Sequence, residues 1–211
     1  TFDNSNNSFS VGANTNSVTG LNAGNFGGDS NTVSGGDAGN VGGDNNEVSG
    51  DDAGNLAGRS NTVTGDYSVN VGGGGVGTGN TVSGARSGNI AGKENIVYGD
   101  RSVNIAGKEN IVGLGLGLGT IGNDSGNIAG FNNQVKGFRS VNIGGESNEL
   151  FSDNTVTLGG EGLSTQTGTS WEKMALAGTD NNYSTYPWDE SGTQAVPGTC
   201  YRFLVGSGDS T

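Results

Sequence analysis

The chain has no histidine, one cysteine, two prolines, and only nine lysines and arginines against 21 acids in 211 residues. Each scarcity removes a class of function. Without histidine there is no imidazole acid–base pair at neutral pH, and the commonest metal ligand is missing. Cys200 has no second cysteine to form an internal disulfide and no histidine to activate it. A net charge of −12 argues against binding nucleic acid or an anionic membrane. No apolar run is long enough to span a bilayer. No signal-peptide pattern is present, so any targeting segment is expected to have been removed. Adjacent acids occur at Asp51-Asp52 and Asp189-Glu190, but carboxylates on a narrow body offer no evident cleft for glycoside hydrolysis. Gly28-Asp29-Ser30 and Gly43-Asp44-Asn45 lack the nonapeptide pattern of calcium-binding rolls. No catalytic residue, metal or cofactor is therefore expected, and the chain is not read as an enzyme.

Glycine is what the chain has in excess, 44 residues of it, and it is periodic. From about residue 10 to 150 a 15-residue unit recurs about nine times. One arm reads [Ala/Ser]-x-Asn-[apolar]-[Gly/Ala]-Gly, as in Ala38 to Gly43, Ala53 to Gly58 and Ser102 to Gly107. The other reads Asn-x-[Val/Leu], as in Asn31-Thr32-Val33, Asn46-Glu47-Val48 and Asn61-Thr62-Val63. A unit this short cannot bury an apolar side alone and must stack on its neighbours. Glycine at every half-repeat costs a helix roughly 1 kcal/mol each time, whereas short strands joined by glycine turns accept it. The pattern predicts an all-β, narrow β-solenoid with two strands per 15-residue coil.

Alternation along a strand assigns faces. With Val33 inward, Asn31 is inward too, and Thr32 and Ser34 point out. Asn31, Asn46, Asn61, Asn80, Asn95 and Asn110 are then expected to stack as a ladder, because buried amides without partners are costly. The first arm is harder to orient. Asn40 and Val41 are adjacent and both recur, so two inward residues there require a bulge. On that reading each coil supplies about two large aliphatic groups to a thin core.

Two insertions interrupt the period, one of four residues at Gly74-Gly75-Val76-Gly77 and one of eight over Gly113 to Thr120. In the second, Leu114, Leu116 and Leu118 fall on one face of an extended segment and are candidates for contact with a neighbouring subunit. Phe9 and Val11, in a first coil with no evident cap, are the other candidate assembly residues. Residues 1–58 contain seven acids and no lysine or arginine, whereas residues 59–150 balance seven against seven. An acidic end meeting a basic flank is one way for copies to join. The repeat domain is placed at 1–150 and a C-terminal β cap or interaction module at 151–211. The latter holds both prolines and Trp171, Tyr186, Trp188 and Asp189, an alternative carbohydrate-stacking surface.

Two resemblances bear on function. The outward residues Thr19, Thr32, Thr62, Thr64 and Thr81, with serines among them, resemble the Thr-x-Thr array of β-solenoid ice-binding proteins, interrupted here at Glu47. The segment Ser-Gly-Asn-Ile-Ala-Gly-Lys-Glu-Asn-Ile-Val-Tyr-Gly at Ser87 to Gly99 resembles the head repeats of YadA-type trimeric autotransporter adhesins. This chain has one more residue per coil and Asn where that family favours Ala. The resemblance implies a left-handed β-roll on a cell surface. The expectation is an extracellular or surface-displayed structural protein, a subunit of a fibre or layer built by self-association through solenoid ends or faces. The alternatives are an adhesin head that binds matrix or glycan, and an ice-binding protein.

Overall fold

A computed structural model describes residues 2–3, 7–12, 15–75, 78–113, 123–151, 153–165, 173–176, 182–183 and 202–205. The chain is all-β, a β-solenoid of about nine turns with 15-residue coils. Each coil gives a three-residue strand to one sheet and a two-residue strand to a second. Gly39–Val41, Gly54–Leu56 and Val69–Val71 are neighbours in the first sheet, and Thr32–Val33, Glu47–Val48 and Thr62–Val63 in the second. Among the described residues the first sheet has thirteen strands and the second eleven, and coil stacks on coil in parallel. Equivalent residues are therefore direct neighbours along the rod, and each position of the repeat becomes a column.

The interior is filled by one aliphatic and two amides per coil. Val33, Val48, Val63, Val82, Val97, Val112 and Val135 from the second sheet are fully buried. The first sheet is a regular strand without the expected bulge, and it turns Asn40 inward and Val41 outward. The core thus receives one large aliphatic group per coil rather than two. Asn25, Asn40, Asn55, Asn70, Asn89, Asn104, Asn127 and Asn142 form a buried column. The Nδ2 of each from Asn40 onward donates to the Oδ1 of the one before, at 2.6 Å from Asn40 to Asn25 and 2.8 Å from Asn89 to Asn70. A second donor bond goes to the carbonyl two residues on, as from Asn70 to Gly72 at 3.1 Å. The physical reason for the orientation is this satisfaction. An amide facing inward reaches the next coil at hydrogen-bond distance, and a valine there gains only a narrow pocket.

The column Asn31, Asn46, Asn61, Asn80, Asn95 and Asn110 is also buried, but it is wired differently. Each Oδ1 accepts the backbone N–H of the next asparagine, as from Asn46 to Asn31 at 3.0 Å. Each Nδ2 donates largely to corner carbonyls, such as Asn31 to Gly43 O at 2.8 Å. That wiring explains the glycine before it. Gly43 sits at φ 79°, and a Cβ there would strike the Gly58 carbonyl and stand 2.7 Å from the Asn46 amide nitrogen. A third column changes from Ala23, Ala38 and Ala53 to Ser68, Ser87, Ser102, Ser125 and Ser140, all buried. Its hydroxyls bridge coils, with Ser68 Oγ donating to Gly84 O at 2.7 Å and accepting from Ser87 N at 3.0 Å.

Both ends of the regular stack differ from the sequence expectation. Phe2–Asp3 folds back antiparallel on Ser8–Val11, with Phe2 opposite Phe9, so the first sheet's starting edge is covered. At the other end the coil pattern runs past 150. Thr155–Leu158 pairs with Val141–Ile143 and Ser164–Thr165 with Glu149–Leu150. Both amide columns stop in this coil, where Thr157 Oγ1 donates to Asn142 Oδ1 and Leu163 N donates to Asn148 Oδ1. Lys173–Leu176, Asn182–Tyr183 and Arg202–Val205 extend the same two sheets.

The inward amide and the outward valine make opposite predictions at adjacent positions. Asn40→Ala leaves the Asn25 Oδ1 without its cross-coil donor, and a loss of about 1–3 kcal/mol in unfolding free energy is expected. Val41→Thr changes the unfolding free energy of the monomer by less than about 0.5 kcal/mol. Urea titration followed by circular dichroism measures both, and equal losses would refute the assigned orientation.

Candidate assembly faces

Turning the asparagines inward turns the aliphatics out. The first sheet presents two outward columns. One reads Val11, Phe26, Val41, Leu56, Val71, Ile90, Ile105, Ile128 and Ile143, each the register partner of the next. The other, two residues back, reads Phe9, Gly24, Gly39, Gly54, Val69, Gly88, Val103, Gly126 and Val141. Neither contains a polar side chain. In the first column eight of the nine are exposed, from 59% at Val11 to 36% at Ile105, and Val71 is half-buried. At ~4.8 Å per coil the nine strands span roughly 43 Å, with a face on the order of 500 Å². Phe9, a candidate from the sequence, is half-buried and packs edge-on against Phe26 with ring centroids 4.6 Å apart. Val11 opens the exposed column. Sequence reasoning assigned Val41, Leu56 and their equivalents to the core. The adjacency of Asn40 and Val41 was the signal that one of them must face solvent.

Charged columns border this face at both corners. Before the strand lie Asp37, Asp52, Tyr67, Arg86, Arg101, Asp124 and Arg139, all with positive φ between 52° and 59°. After it lie Asp44, Arg59, Lys93, Lys108, Phe131 and Glu146, stacked in parallel bridges that Gly74 interrupts in the middle. Within the rod some of these charges neutralise one another. Arg59 Nη2 lies 2.9 Å from Asp44 Oδ2 and, by that hydrogen bond, holds the Asp44 carboxyl below its usual range. Arg101 and Asp124 form a two-point pair that lowers the acid and raises the base. Arg86 lies over the Tyr67 ring, 5.8 Å from its centroid. Among the described residues, Asp52 and Arg86 take part in no ion pair.

The second sheet shows a different outer face. Its first outward column reads Ser17, Thr32, Glu47, Thr62, Thr81, Ile96, Ile111, Gln134 and Glu149. Thr19, Ser34, Ser49, Thr64, Ser83 and Tyr98 run beside it. The hydroxyl array is thus in register over five coils, is broken by Glu47, and gives way to Ile96. Leu114, Leu116 and Leu118, and Trp171, Tyr186, Trp188 and Asp189, lie outside the described residues.

Beside the four-residue insertion, Thr78 Oγ1 donates to Glu94 Oε1 at 2.7 Å, and Lys93 Nζ stands 3.0 Å from the same oxygen. The Thr78 hydroxyl foremost, then Lys93, lowers the Glu94 carboxyl from 4.5 to about 2. Because the folded value is the depressed one, this contact stabilises the fold above pH 4.5 and is lost as pH falls toward about 2. In Thr78→Val the Glu94 titration seen by NMR is expected to move up toward 4.5, and an unchanged midpoint would refute the role of the hydroxyl. Compared with known proteins, the chain matches no family model and no curated sequence.

Proposed function

We propose that this rod is a structural subunit, displayed on or outside the cell, that associates with copies of itself through the apolar face of its first sheet. The carrying observation is the composition of that face, two columns over nine coils without one polar side chain. An exposed apolar strip of this length, on a chain whose second sheet is mostly polar outside, marks a surface that a partner covers. A second copy fits best, because a repeat of fixed spacing offers an identical flat strip to match coil for coil. The glycines at 24, 39, 54, 88 and 126 keep one column low, so that the aliphatic column of another copy can seat beside it. The covered edge at Phe2–Asp3 favours contact through faces over contact through this end. The resemblance of Ser87 to Gly99 to the head repeats of surface-displayed adhesins supports the extracellular placement. The hydroxyl array of the second sheet is shorter and interrupted, so ice binding is the weaker reading.

Sedimentation velocity across a concentration series is the test. Wild type is expected to sediment as a multimer, and Leu56→Asp combined with Ile105→Asp as a monomer with an unchanged circular dichroism spectrum. A wild type that remains monomeric at every concentration overturns the proposal.

A further inference from the structure

The corners beside the apolar face carry information about how two copies are oriented. By flat area alone, on the order of 500 Å², the face falls short of the ~800 Å² per partner in stable complexes, so the corner side chains belong to any interface built on it. Their charge is graded along the rod. Asp37, Asp44 and Asp52 lie in the third and fourth of the nine coils, and Arg86, Lys93, Arg101 and Lys108 in the sixth and seventh.

Two symmetric arrangements bring the faces together. A rotation axis parallel to the rods sets the corner before the strand against the corner after it, within the same coil. Asp37 then meets Asp44, Arg86 meets Lys93 and Arg101 meets Lys108, three like-charge meetings. Asp52 with Arg59 and Arg139 with Glu146 are the opposite ones. A two-fold axis across the rods keeps each corner on its own side and reverses the order of coils. With the axis at the coil of Val69–Val71, the middle of nine, Asp52 meets Arg86, Asp37 meets Arg101 and Asp44 meets Lys108, against one like-charge meeting of Arg59 with Lys93. Slipping by one coil toward the N-termini keeps the sign, with Asp37 on Arg86 and Asp44 on Lys93, whereas the opposite slip sets Asp37 on Asp124 and Arg59 on Lys108. Arg59, Lys93, Arg101 and Lys108 are already paired within the rod, to Asp44, Glu94, Asp124 and Glu109, so the deciding contact is that of Asp52 with Arg86, which the antiparallel arrangement makes and the parallel one replaces with Arg86 on Lys93.

Resting on the self-association described above, we infer that two copies pack their apolar faces antiparallel about a two-fold axis near Tyr67, the acidic coils of each lying on the basic coils of the other. The arrangement is isologous and closed. It covers the apolar strip from Val11 to Ile143 and leaves the coil of Thr155–Leu158, where the amide columns end, projecting at both ends of the pair. Tyr67, 61% exposed, stands where the two copies' corners meet.

The test uses the full chain in a Cys200→Ser background. Spin labels at Tyr67→Cys and, separately, at Asn22→Cys report distances between copies by pulsed electron resonance. The antiparallel pair predicts a short Tyr67 distance and an Asn22 distance longer by at least several coils, on the order of 20 Å. Equal distances at the two sites mean rods in parallel and overturn the orientation. The second arm is Arg86→Asp, a position where the corner already accepts Asp at 52 with the same backbone. Antiparallel packing predicts about tenfold weaker self-association, whereas parallel packing sets the new acid on Lys93 and predicts stronger. Unchanged or tighter association overturns the orientation while leaving self-association standing, and a monomeric wild type overturns both.

Discussion

The amide-to-amide hydrogen bond between coils is the constraint on which the rest of this rod depends. A 15-residue coil encloses so little volume that one valine per coil fills its apolar part, and apolar burial at roughly 25 cal/mol per Å² cannot order fifteen residues by itself. The asparagine columns solve this by making each coil's interior polar but fully satisfied across the stack. Their cost is cooperativity. A buried amide is stable only when the coils on both sides are present, so a single coil has no reason to fold and the stack forms as a unit. The serine column from Ser68 onward adds the same kind of link, and the alanines at 23, 38 and 53 do not.

That interior has an external consequence. A strand of three residues has one inward position between two outward ones. Once asparagine occupies the inward place, the aliphatic beside it must face out. The apolar face is thus not an accident of surface composition. Other columns show what the same chain does where solvent is the neighbour: Thr and Ser on the second sheet, Asp, Arg and Lys at the corners. Nine successive outward positions held by Val, Phe, Leu and Ile, with Gly, Val or Phe beside them, are a different choice, and among the described residues only this face makes it without interruption.

Much of this was legible in the sequence. The 15-residue spacing, the two strands per coil, and the inward Val33 and Asn31 series follow from glycine punctuation and strict alternation, and the parallel stack follows from them. The orientation of the first arm was not legible by the ordinary rule that aliphatic residues go inside. Asn40 and Val41 compete for one inward place, and hydrophobicity alone awards it to valine. Only the spacing to the next coil, which lets Asn40 reach Asn25 at 2.6 Å, reverses the outcome. The covering of the first edge by Phe2–Asp3 left no periodic signal, since it is a single non-repeating contact. The end of the repeat was placed at 150 because from Phe151 the period fails and aromatics and both prolines appear; in the coil that follows, the two amide columns give way to Thr157 and Leu163. The backbone tolerates both substitutions, since each still engages the amide below it.

Repetition also creates a problem that the columns themselves cannot solve. Two identical apolar strips match equally well at every multiple of one coil, and a slip of one step forfeits only about a ninth of the contact, so burial alone specifies neither direction nor register. Specificity must come from whatever is not repeated. On this rod the non-repeating features beside the face include the acidic-to-basic grading of the corners, the ring of Tyr67 in the middle coil, and the four-residue insertion that interrupts one charged column at Gly74. All three flank the apolar face rather than lie within it. The face supplies adhesion that is indifferent to alignment, and the corners supply alignment with little adhesion. A chain built from near-identical coils keeps both only by letting its corner residues diverge while its inward asparagines stay the same.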